Sequence, residues 1–216
     1  MSELEEVAKT TGKAIDASRE LGGFIEKYVG PPLEQLSGML EDYLRVWRWE
    51  RQIRLFERAD TFMAARGLAS ATRPVPLKLA IPIIQNGSLE EDDELQDRWA
   101  SLLVNSADAD SGTEMRSAFI SILKDLTSLD AINLQQLYSY AAITIRTAGL
   151  PEEVYAEGRH GEIMKPEIAV SLSNLSRLGL ISLPSPMDGG EFLFQVSHTR
   201  LGGEFVKACS PSRRKI

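Results

Sequence analysis

Cysteine occurs once, at Cys209, and that scarcity excludes an intramolecular disulfide framework. Histidine is nearly as rare. His160 and His198 have no Cys/His neighbours at zinc-ligand spacing, so no metal is expected. No apolar run approaches the roughly 18 residues that span a bilayer, which argues against integral membrane contact. The first residues, MSELEEVAKTTGK, are polar and acidic, unlike the basic-then-apolar start of a signal peptide. With the lone cysteine, this predicts a cytoplasmic protein. The serine-hydrolase elbow GxSxG, the zinc-protease HExxH and the P-loop are all missing. The glycine pairs at 22–23, 189–190 and 202–203 lack phosphate-loop spacing. The expectation is a non-enzyme, with no catalytic residues and no cofactor.

Positive charge is also short, 24 Lys and Arg against 31 Asp and Glu, and the deficit is local. Residues 1–128 hold 22 acidic and 15 basic side chains, whereas residues 129–216 hold nine of each. The acidic part repels phosphate backbones, which disfavours nucleic acid there and leaves it open only for the C-terminal part.

What is present is helical patterning. Residues 1–32 read as a weak amphipathic helix through Leu4, Val7, Leu21, Ile25 and Tyr28, interrupted at Gly22-Gly23 and ended by Gly30-Pro31-Pro32. Its packing, or its contact with a membrane surface, is left open by the pattern. A helical body is expected over 33–128. It starts with one long helix from Leu33 to about Leu68, whose apolar stripe changes sides. Leu36, Leu40, Tyr43 and Trp47 share one face, and Trp49, Ile53, Phe56 and Met63 the other. Trp49, Ile53 and Phe56 are therefore candidates for subunit contact in a homo-oligomer, against the plainer reading that they are core. Arg45, Arg48, Arg51, Arg54 and Arg58 suggest an anionic partner. Glu41 before Arg45 and Glu50 before Arg54 instead favour a salt-bridged, solvated face.

Arg73-Pro74-Val75-Pro76 reads as a turn, followed by a short apolar segment, Leu77–Ile84, that ends at Asn86-Gly87. Six of the eight positions 90–97 are then acidic. Ser88 as N-cap with Glu91 three residues on forms a capping box, which makes the acidic run the solvated start of a helix. Leu95, Trp99, Leu102 and Leu103 are its buried face. Asp108 to Gly112 fails the calcium-loop pattern and reads as a plain loop. Met115, Phe119, Ile122, Leu123 and Leu126 line another buried face, and Thr127 or Ser128 caps the next helix.

A winged-helix-like domain with a small β-hairpin is expected over 129–210, with a basic tail at 211–216, so the chain as a whole is mainly α. Leu134, Leu137, Tyr138, Ala141 and Ile145 describe a helix, and Pro166 starts a second at its first position. Ile168, Leu172, Leu175 and Leu178 form one face of that second helix, and Gly179 ends it. ISLPSPMDGGEFLFQV reads as two strands around a turn at Asp188-Gly189-Gly190, and Thr199 caps a last helix holding Leu201, Phe205 and Val206.

The stretch IPIIQNGSLEEDDELQDRWASLLVNSAD, then SAFISILKDLTSLDAINLQQLY, RLGLI at 177–181 and TRLGGEFVKAC, resembles the abortive-infection alpha (Abi-alpha) family of bacterial proteins. The resemblance implies defence against phage, in which an infected cell stops growing or dies. It brings no catalytic residues.

Two kinds of partner follow. If residues 165–200 bind DNA, Ser171, Asn174 and Arg177 would face outward with Glu167, flanked by Lys165 and Arg200. Against that, phosphate contacts need more cations than this, and the turn from Asp188 to Glu191 is acidic. The preferred expectation is a protein partner bound through the same surface.

Overall fold

The computed structural model describes residues 23, 27–28, 49–140, 144–146, 165–184, 193 and 195–211. The expectations for Leu36, Leu40, Tyr43, Trp47, the Glu41–Arg45 pair, the Asp188–Gly190 turn and the basic tail lie outside these residues. The fold is mainly helical with a small antiparallel sheet. It divides into two compact units, residues 1–120 with 210–216, and residues 121–209.

In the first unit α1 (Trp49–Ala65), α2 (Leu77–Leu89) and α3 (Asp93–Ala107) pack against one another. Leu55, Ala59 and Met63 repeat every four residues on α1 and are fully buried. The helix stops at Gly67, whose φ of +69° admits the left-handed turn. Leu68 N–H then bonds Met63 O at 3.0 Å and Gly67 N–H bonds Ala64 O at 2.9 Å. Phe56, proposed for subunit contact, is 1% exposed and belongs to the core. Its partner candidate Ile53 is half-buried, and the side chain of Trp49 lies outside the described set.

The segment expected to end at Asn86-Gly87 instead continues as α2 to Leu89, with Pro82 inside it. Packing explains the difference. Gly87 lies where a Cβ would stand 2.9 Å from Trp99 Cβ and 3.0 Å from both methyls of Leu55, so the bare backbone lets α2 press against α1 and α3. Ser88 is consequently not a cap. It is buried within the last turn of α2, its hydroxyl donating to Ile84 O at 2.6 Å. Asp92 caps α3 instead, accepting from Leu95 N–H at 3.0 Å.

Leu95, Trp99, Leu102 and Leu103 are buried as expected, but so are Gln96, Ser101 and Asn105 on the other faces, so α3 is enclosed nearly all round. Its last carbonyls are met from the 72–73 turn. Thr72 and Arg73 N–H bond Ala107 O, Arg73 Nε donates to Ser106 O at 2.7 Å, and Arg73 Nη2 donates to Asn105 O at 3.0 Å. A cation at a helix C-terminus also meets the dipole favourably. The 108–112 loop is held by Asp108, which accepts from Asp110 N–H at 2.9 Å.

The N-terminal segment is anchored where it is described. Gly23, Lys27 and Tyr28 are helical, and the rest of the expected interruption at Gly22-Gly23 lies outside the described residues. Tyr28 is buried, its carbonyl accepts from Val75 N–H at 3.0 Å, and its hydroxyl donates to Asp60 at 3.2 Å, where Lys27 also pairs.

α4 (Ser117–Lys124) buries Phe119, Ile122 and Leu123, with Leu126 just beyond its end. Met115 precedes the helix and is half-buried, not part of its face.

The second unit contains α5 (Ser128–Ser139), β1 (Thr144–Arg146), α6 (Pro166–Arg177), β2 (Ile181–Ser182), β3 (Gln195–His198) and α7 (Arg200–Ala208). Thr127 caps α5 in a full capping box with Asp130. Pro166 opens α6, and Gly179, at φ +72°, closes it. The sheet order is β1-β3-β2, antiparallel, with Ile145 opposite Val196 and Ile181 opposite His198. The sequence pattern places Ile145 on the helix that carries Leu134. That helix stops at Ser139, and the β-branched pair Thr144-Ile145 instead forms an edge strand.

Tyr138 ties this unit together. Its hydroxyl donates to Leu180 O at 2.7 Å and accepts from Thr199 N–H at 3.1 Å. His198 stacks on its ring at 4.1 Å and holds Leu137 O at 2.9 Å. Thr199 donates to Gly179 O and caps α7 by accepting from Gly202 N–H. A Cβ on Gly202 would lie 2.1 Å from both Leu180 O and the Tyr138 hydroxyl, so only glycine fits.

Candidate functional site

Two surfaces combine charge or apolar exposure with defined geometry, one in each unit. The first is the arginine row of α1. Arg51, Arg54 and Arg58 follow one another at spacings of three and four, which leaves their side chains within reach of one neighbouring element. That element is the acidic start of α3 with the link that precedes it. Arg51 pairs with Glu91 at 2.6 Å and donates to Leu89 O at 3.4 Å. Arg54 pairs with Asp93, and Arg58 pairs with both Asp93, at 2.7 Å, and Asp97. Arg51, Arg54 and Arg58 are thus salt-bridged, with partners from the start of α3 and from the link before it. The acidic run holds α1 against α3, in addition to supplying the cap. Of the remaining acids, Glu90 accepts from Glu91 and Asp92 N–H, which orders the link between α2 and α3.

Two buried ionisable groups in this unit are perturbed by their surroundings. Burial pushes the Arg66 guanidinium below its ordinary range, while Asp108, 3.5 Å away, partly opposes that. Burial first, and then the charge and hydrogen bond of Asp60, push the Tyr28 phenol up.

The second surface lies between α5 and α6. Thr127, Leu129 and Asp130 form one wall, and Pro166, Glu167, Val170, Ser171 and Asn174 the other, around an open groove of about 510 Å³. Most of what it presents is apolar. Val170 is 69% exposed, the most exposed large apolar side chain among the described residues. Ile132, one turn after Leu129 on α5, is also exposed.

The residues expected to face outward from α6 do not all do so. Ser171 is 3% exposed and accepts from Asn133 Nδ2 at 3.0 Å. Its place explains this: it stands three residues after Ile168 and four before Leu175, inside the buried stripe. Asn174 spends its amide on Asp125 O at 3.0 Å and Asp130 at 2.9 Å. Its oxygen accepts from Arg177 at 2.8 Å, and Arg177, although exposed, also pairs with Asp125 at 3.1 Å. Lys165 is half-buried at the N-cap of α6 and makes no side-chain cap bond, whereas Arg200 is exposed at the start of α7.

Ser171 and Asn174 therefore build the α5–α6 contact, and Arg177 is engaged with Asp125. The groove residues that sequence reasoning passed over are Leu129, Pro166 and Val170. Val170 had a readable signal: it is one turn beyond Pro166 and one turn before Asn174, an apolar side chain on an otherwise polar face.

Among the described residues no group of three or more His, Cys, Asp or Glu side chains is placed to hold a metal ion. Among them, too, no helix is long and apolar enough to cross a membrane. No curated protein and no solved structure matches the chain. The abortive infection alpha family does, over residues 50–209, which takes in the arginine–acid seam, the groove and the Tyr138 junction. By that match the chain belongs to the abortive infection alpha family.

Proposed function

We propose that the protein serves abortive infection, in the cytoplasm and without catalysis, by binding a protein partner through the α5–α6 groove. The observation that carries this reading is the inversion of α6. Ser171 turns inward, Asn174 is engaged by Asp125 and Asp130, and an exposed valine beside Leu129 and Pro166 faces outward. The apolar lining of the groove offers contact to an apolar side chain of a protein partner and few hydrogen-bonding groups to a base edge. A nucleic-acid surface needs unpaired cations, and Glu167 and the engaged Arg177 are poor substitutes.

We further infer that residues 121–209 form a winged helix. Support comes from the order helix, strand, helix, strand, strand, helix and from β3 lying between β1 and β2. In this reading α6 occupies the recognition-helix position but carries a protein-binding face.

The test is titration of the full chain against labelled duplex DNA over a salt series. The expected result is no binding at low salt beyond that of an acidic control protein. Binding that falls steeply with salt and is lost in Lys165→Ala or Arg200→Ala would replace this proposal with a DNA-binding regulator.

A further inference from the structure

We draw no further inference here: the strongest candidate, the apolar strip of Leu129, Ile132 and Val170 along the α5–α6 groove, belongs to the surface already described, and nothing in the structure shows what covers it.

Discussion

Gly202 and Gly87 show how much a missing side chain decides here. At Gly202 a methyl would meet a backbone carbonyl and the Tyr138 hydroxyl at 2.1 Å, and neither can yield without breaking the Thr199 cap. Gly202→Ala is therefore expected to unfold the second unit, seen as loss of its cooperative transition in thermal denaturation. At Gly87 the obstacles at 2.9–3.0 Å are mostly flexible side chain, so Gly87→Ala should cost about 1–3 kcal/mol by overpacking and leave the fold intact. Trp99→Ala removes a fully buried indole from the same contact and should cost about 3–5 kcal/mol. An unchanged denaturation midpoint would show that Trp99 is not core.

Tyr28 adds a pH dependence. Its phenol is raised in the folded state, so its contribution is complete below the ordinary tyrosine range and is lost as pH rises through it. Tyr28→Phe should lower stability at neutral pH by about 1 kcal/mol, the lost bond to Asp60. That deficit should shrink above about pH 10, where the unfolded phenol ionises. A gap between the two proteins that is constant with pH would contradict the assignment.

Among the elements, those whose limits depend on local chemistry were legible. Thr127, Pro166, Gly179 and Thr199 mark starts and stops because caps and left-handed turns are decided within a few residues. The limit of α2 was not, because two cap patterns overlap there. Ser88 with Glu91 satisfies the local rule, but the fit of Gly87 against Leu55 and Trp99 carries the helix past Ser88 and passes the cap to Asp92. Asp92→Ala should therefore cost about 0.5–2 kcal/mol. Ser88→Ala should cost less, since its hydroxyl serves a carbonyl that lies within the helix ladder. The reverse order of effects in urea denaturation would restore Ser88 as the cap.

The pairs between α1 and α3 were illegible for another reason: Arg54 and Asp93 are 39 positions apart, and periodicity reports only a helix's own neighbours. These exposed pairs are each worth at most about 1 kcal/mol and weaken in salt. Their larger effect is to neutralise the arginine row. Replacing Glu91, Asp93 and Asp97 by Gln, Asn and Asn should let the protein bind heparin at low salt where the parent does not. Equal retention of parent and variant on a heparin column would remove this role from the acidic run.

At the scale of the whole molecule the family match runs through both units. The features that the family signature spans are mostly structural. RLGLI supplies the α6 stop, TRLGG the α7 cap and its close approach, and the acidic run the link between α1 and α3. The α5–α6 groove is different, because Val170 makes no contribution to a core and is exposed on a helix whose Ile168, Leu172 and Leu175 are enclosed. Among the described residues, the helices α3 to α7 and the pairing of β2 with β3 were readable from the sequence pattern, whereas α2 and β1 were not. The direction of Ser171 was readable too, from its place between Ile168 and Leu175, once the buried stripe is taken to include small polar residues.

The most direct measurement is the plating efficiency of phages on cells expressing Val170→Glu beside the parent, with melting curves of both proteins. The parent identifies the phages that are restricted. Because Val170 is exposed, the variant should melt with the parent yet lose restriction of those phages, while Arg177→Ala retains it. Full restriction by Val170→Glu, at equal stability and expression, would contradict the claim that this groove is the partner surface.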